Sequence, residues 1–189
     1  MPRTRGGAAS RLLQRRWGHP TAGTVTLVRP SRAELRSIDE GWEALRAAGD
    51  VAKGWSWASV AQDSDLFLLR TEPAKEPLAI WRAAKPTITL GGQRLYRLDN
   101  IETNPSLRNA GTGRMVMLLI CARALELQSE GVILAAPPVR ESWYRDIGAT
   151  SAPQVEWQVP AGLMALWFEP GRMTQLKEAA DALEVAEGS

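Results

Sequence analysis

Apolar and polar positions first alternate regularly over residues 24–28, where β-branched side chains at period two predict a strand. Pro30 stops it. Ser31 and Glu34 then form a capping box. The helix it opens places Leu35, Ile38, Trp42 and Leu45 on one face and is expected to end near Gly49. Residues 65–70 and 77–82 read as two strands joined by a Pro- and Glu-containing turn, an antiparallel hairpin. Gly91-Gly92 precede residues 94–103, which alternate as a half-buried strand does.

The period then changes. Residues 111–130 carry a helical pattern about 28 Å long, with Arg123, Glu126 and Glu130 as its polar stripe. A helix this apolar lies across a sheet or within a core, and Gly131 is expected at its C′ position. Residues 132–136 are uniformly apolar, which predicts a central parallel strand. Pro137-Pro138 end that strand, and a short helix over 141–147 is stopped by Gly148. Residues 154–159 and 163–168 suggest a closing hairpin, and 173–185 a last amphipathic helix.

Composition narrows the function. At 189 residues, 44% hydrophobic and 23% charged, the chain fits one domain with a real core. Residues 1–22 read as a basic, flexible N-terminal tail and 23–189 as the domain. The formal net charge of +2 hides an asymmetry: Arg3, Arg5, Arg11, Arg15 and Arg16 face no acid in the first 16 residues. The remainder has 18 basic against 21 acidic residues, about −3, which argues against a nucleic-acid-binding body.

The longest uncharged apolar run, residues 115–122, has eight residues, against the roughly twenty a membrane span needs. No secretory signal is legible, and a reducing, cytoplasmic setting is expected. One cysteine, Cys121, excludes an internal disulfide, and one histidine leaves too few ligands for a catalytic zinc. No metal is expected. Cys121 reads as core, and His19 as a solvated residue of the tail.

Chemistry concentrates between the strand over 94–103 and the long helix, in Asn104-Pro-Ser-Leu-Arg-Asn-Ala-Gly-Thr-Gly113. The first amides of a helix lack intrahelical partners, and the helix dipole adds positive charge there. With Arg108 and Arg114 alongside, such a turn suits a pyrophosphate. The Gly-Lys-Ser/Thr ending of a nucleotide P-loop is absent, and so is the three-glycine dinucleotide fingerprint.

The run Pro105…Arg108-x-x-Gly111-x-Gly113 resembles the acyl-CoA pyrophosphate loop of the GNAT superfamily of N-acyltransferases. Trp143-Tyr144-Arg-Asp-Ile147-Gly148-Ala149 is similar to that family's short-helix motif, with a tyrosine four residues before a glycine. The chain departs from the pattern at Ala149, usually aromatic, and at Pro137, often asparagine. The resemblance implies an α/β (α+β) fold, with a mixed, mostly antiparallel central sheet of about 6–7 strands flanked by helices.

It also implies acetyl-CoA as cosubstrate, contacted by Ile101, Thr103, Arg108, Asn109, Ala110, Gly111, Thr112, Gly113 and Arg114. An amine acceptor would attack the thioester directly. Glu102 is the expected base, Asp99 the second choice, and Tyr144 the expected acid for the departing thiolate. Glu102 could equally cap the loop or pair with an arginine, and Tyr144 could be a packing aromatic. Two other functions stay open: a GNAT toxin acetylating aminoacyl-tRNA, for which the arginine-rich arm is suited, and a non-catalytic GNAT-like binding module. Acceptor identity and a homodimer are left open too.

Overall fold

A computed structural model describes residues 10–46, 56–59, 65–107, 110–152 and 157–185. Its centre is an eight-stranded sheet, one strand beyond the expected range, in the order β1-β2-β3-β4-β5-β6-β8-β7. The strands are β1 (Arg16–His19), β2 (Gly23–Val28), β3 (Asp65–Thr71), β4 (Pro77–Leu90), β5 (Gln93–Thr103), β6 (Gly131–Ala136), β7 (Thr150–Ser151) and β8 (Met164–Phe168). Among the described residues four helices flank it: α1 (Arg32–Arg46), α2 (Thr112–Glu126), α3 (Pro138–Ile147) and α4 (Pro170–Asp181). Every pairing is antiparallel except β5 with β6.

Side-chain alternation sorts the core into two layers. Phe67 and Leu69 of β3 and Ala79 and Trp81 of β4 turn to one face, where they meet Met115, Val116 and Leu119 of α2 and Met173 and Leu176 of α4. Leu66, Leu68 and Ile80 turn to the other, against Leu35, Ile38 and Trp42 of α1 and Trp57. The capping box is formed: the Ser31 hydroxyl accepts from the Glu34 N–H at 3.2 Å, and the Glu34 carboxylate accepts from the Ser31 N–H at 2.8 Å.

Residues 10–22 are not a tail. Ser10 opens a 3-10 turn over Arg11–Gln14, and β1 pairs with β2 from Arg16↔Thr26 to His19↔Gly23. The far edge of β1 is also covered, since the Gly18 N–H donates to the Leu183 carbonyl at 2.8 Å and the Val185 N–H to the Arg16 carbonyl at 2.9 Å. The reason is apolar: Leu12 and Trp17 join the α2-side core, with Trp17 fully buried. Arg15 pairs with Asp181, at 2.7 Å, and with Glu184. Arg3 and Arg5 lie outside the described residues.

The helical pattern over 111–130 also resolves differently. Helix α2 stops at Glu126, Gln128 takes a left-handed conformation (φ 56°), and Gly131 opens β6 rather than closing the helix. A Cβ at Gly131 would sit 2.9 Å from Leu95 and 3.0 Å from Trp167, so packing demands the glycine. Arg123 is no surface residue: it is buried and holds the fully buried Asp65 at 2.9 Å. Tyr96 donates to the same carboxylate at 3.2 Å, and Arg29 at 2.8 Å. Burial pushes the Asp65 carboxyl up, but Arg123 and Arg29 overcome this and hold it below its ordinary value. The expected closing hairpin pairs β8 with Thr150–Ser151 instead. Residues 157–159 are not strand, and 154–156 lie outside the described residues.

Candidate active site

The two parallel strands part at one end of the sheet. Pairing between β5 and β6 ends at Leu98↔Leu134, yet β5 continues to Thr103 and β6 to Ala136. Strand β4 stays with β5 as far as Ala79↔Thr103, so the opening lies on the β6 side alone. The edge of β5 that carries Ile101 and Thr103 is thereby released from β6. Beyond it the chain turns to α2, and beyond β6 it enters α3, so both helices begin at the mouth of the wedge.

Asn104 fixes the turn. Its amide N–H donates to the Leu78 carbonyl at 2.8 Å and its side-chain amide to the Pro77 carbonyl at 3.0 Å, while Oδ1 accepts from Ser106. A 3-10 turn over Pro105–Leu107 follows, and the Ala110 N–H is taken by the Leu107 carbonyl at 3.3 Å. Arg108 and Asn109 lie outside the described residues. Gly111 then adopts a left-handed conformation, φ 83°, which glycine takes without a Cβ penalty, and α2 starts with no side-chain cap. Among the described residues the N–H groups of Thr112, Gly113 and Arg114 meet no acceptor, while Met115 donates back to the Gly111 carbonyl. Three free donors at the positive end of a helix form an anion cradle. The exposed Arg114 side chain stands on the same turn.

Trp143 joins this turn to α3. A Cβ at Gly113 would stand 3.0 Å from the Trp143 ring, and Trp143 packs edge-on against Tyr144 with centroids 4.8 Å apart. Helix α3 holds Tyr144 firmly. Pro138 opens it, and Gly148 (φ 106°) ends it where no Cβ fits, because Arg172 reaches over to donate to the Ile147 carbonyl at 2.8 Å. Tyr144 is 6% exposed, and burial pushes its phenol up to about 12, with Arg140 opposing. Its hydroxyl meets no hydrogen-bond partner among the described residues. Ala149, the departure from the family motif, is buried in the same core.

Glu102 lies elsewhere. Opposite Ile80 in the β4–β5 register, it faces the α1 side, whereas Ile101, opposite Trp81, and Thr103, opposite Ala79, face α2. The Trp57 indole N–H donates to Glu102 Oε2 at 2.6 Å, and Asp39 of α1 accepts from the Trp57 and Ala58 N–H groups at 2.9 Å each. Glu102 and Tyr144 therefore approach the wedge from opposite faces of the sheet. Asp99 is a poorer base, since Arg97 holds one of its oxygens at 2.5 Å and Arg82 the other at 3.4 Å. Burial pushes the Cys121 thiol up, in keeping with a core residue.

His19 overturns the expectation of a solvated residue. It is 6% exposed, its Nε2 lies 3.0 Å from Thr112 Oγ1, and Nδ1 accepts from the Thr21 and Ala22 N–H groups at 3.2 and 3.1 Å. Sequence reasoning also missed Trp143 as a wall of the turn; its adjacency to Tyr144 was the available signal.

No family model matches the chain, and no curated protein matches it. Solved structures do. An acetyltransferase of the GNAT family from Staphylococcus aureus superposes with a TM-score of 0.58 at 9% identity, covering 77% of this chain and 99% of that one. The spermidine/spermine N-acetyltransferase SpeG of Vibrio cholerae, in mutant form, gives 0.57 at 12% identity over 80% and 96%. A structure described as a bacterial toxin gives 0.51 at 14% identity over 65% and 79%. The chain has the GNAT fold.

Proposed function

We propose that the chain is an N-acyltransferase that moves an acetyl group from acetyl-CoA to an amine. One observation carries the reading: three amides that meet no acceptor among the described residues, on Thr112, Gly113 and Arg114, open a helix at the mouth of the parallel β5–β6 pair, where that pair separates. These donors suit the pyrophosphate, with the Arg114 side chain and the backbone at Ala110 and Gly111 beside them; Arg108 and Asn109 enter this reading from the sequence motif alone. The released edge of β5 at Ile101 and Thr103 suits the amide-bearing arm that leads to the thioester.

Acetyl-CoA supplies an acyl thioester already activated towards attack by an amine. An alkyl amine ionises near 10.4, so most of it is protonated at pH 7 and must lose a proton. Glu102 takes that proton, with Oε2 anchored by Trp57 and the carboxylate thereby aimed. Tyr144, kept as a neutral phenol by burial, donates to the departing sulfur. The likeness to SpeG, a spermidine/spermine enzyme by its description, supports including polyamines in the first acceptor panel.

Calorimetric titration with CoA, followed by acetyl transfer to polyamines, peptide N-termini and lysine, tests the reading. Binding and transfer support it, and binding without transfer to any acceptor favours a non-catalytic module. Neither at millimolar CoA refutes it. The tRNA reading is less favoured, because Arg15 of the basic arm is already paired with Asp181 and Glu184.

A further inference from the structure

We infer that His19 is a positioning residue for the pyrophosphate turn: as a neutral imidazole it ties the β1–β2 turn to the first residue of α2, and its protonation weakens CoA binding. This rests on the proposed acyl-CoA reading of the site. The hydrogen-bond network assigns the tautomer. Nδ1 faces the N–H groups of Thr21 and Ala22, so it must present its lone pair, and the ring proton sits on Nε2 and is donated to Thr112 Oγ1.

A second contact runs beside it. The Pro20 ring lies 3.5 Å from where a Gly111 Cβ would stand, so the β1–β2 turn backs the left-handed residue as well as the helix start. The amides proposed to bind phosphate are on Thr112 itself and its two successors.

An imidazolium has no lone pair on Nδ1 and would point N–H at N–H. Burial alone disfavours the charged form. The charged residues on the surrounding elements are Arg16 of β1, Arg114, Arg123 and Glu126 of α2, Arg172, Lys177, Glu178 and Asp181 of α4, and Glu184 just beyond α4, with Asp181 and Glu184 bound to Arg15, while β2 has none. None of these contributes to lowering the imidazole value. The tether is therefore complete above about pH 6.5 and is lost as the pH falls through the lower folded value. Simple charge attraction predicts the reverse, since a cation beside a diphosphate would tighten binding on acidification.

The test uses the whole chain, whose single histidine makes the imidazole spectrum unambiguous. Long-range proton–nitrogen NMR is expected to show the Nε2–H form at pH 7.5 and titration below the free imidazole value. Calorimetry with CoA from pH 4.5 to 8.0 is read against His19→Gln, which keeps a donor and an acceptor but does not titrate, so ionisation of CoA itself cancels. Wild type is expected to lose about three- to tenfold in affinity relative to His19→Gln on acidification, and His19→Ala to lose as much at every pH. Wild-type affinity in His19→Ala, or an Nδ1–H tautomer, overturns the proposal. If wild type binds no CoA at all, the functional reading fails first, while the Nε2–H signature and the depressed titration persist.

Discussion

Removing one oxygen from Tyr144 separates catalysis from structure. The phenol is raised to about 12, so full transfer of its proton to a thiolate whose acid ionises near 8.5 lies uphill by about 5 kcal/mol. A stepwise transfer is therefore disfavoured, and Tyr144 must donate its hydrogen bond as negative charge grows on sulfur. General acid–base groups of this kind contribute roughly 10²- to 10⁴-fold. Tyr144→Phe should lower kcat at least tenfold with KM for acetyl-CoA nearly unchanged. The hydroxyl meets no partner among the described residues, so its removal strands no buried donor or acceptor, and Tm should move by no more than about 2 °C. Steady-state kinetics beside a thermal melt decide the matter. A kcat within twofold of wild type discards the acid role, and a fall in Tm of many degrees means that the phenol is structural. Because the phenol stays protonated well past neutrality, the wild-type rate should show no alkaline fall from Tyr144 below about pH 10.

Glu102→Gln keeps an acceptor for the Trp57 N–H but cannot take a proton, so turnover should drop about a hundredfold at pH 7 and recover as the pH approaches that of the free amine. A loss that persists at high pH assigns Glu102 to structure. Gly113→Val must push Trp143 aside and should weaken CoA binding at least tenfold; the loss should persist in Gly113→Val/Trp143→Ala if the phosphate space itself is filled, and wild-type binding by the double variant would refute that. Trp17→Ala, in the stretch that reads as a tail, should cost about 3–5 kcal/mol by chemical denaturation, and an unchanged midpoint would return β1 to the tail. Asp65→Asn should destabilise by a similar amount. The Asp65 value is lowered on folding, so wild-type stability should fall as the pH drops below about 4, with a shallower fall in the variant.

Periodicity places most of the sheet and α1, because α1 and strands such as β2 and β5 alternate between a buried and a more open side, while β3 and β6, covered on both faces, read as short apolar runs. It misplaced what depends on partners distant in the chain. Arg123 reads as a polar stripe because its mate, Asp65, is 58 residues away. Trp17 reads as tail because the strand it anchors is sealed by residues 183–185 at the other end of the sequence. His19 reads as solvated for the same reason, since the helix start it touches lies 93 residues on. The turn around Gly111 and Gly113 was legible because its chemistry is local: a glycine able to adopt positive φ, then a helix start without a cap. Register told what spacing could not, that Glu102 and Tyr144 stand on opposite faces.

Amide NMR during a CoA titration tests the central claim most directly. The N–H resonances of Thr112, Gly113 and Arg114 should move downfield together and saturate at one affinity, as expected when bare amides acquire phosphate oxygens. If CoA leaves these three resonances in place, or perturbs only residues away from the start of α2, the helix end is not the donor site and the acyltransferase account fails.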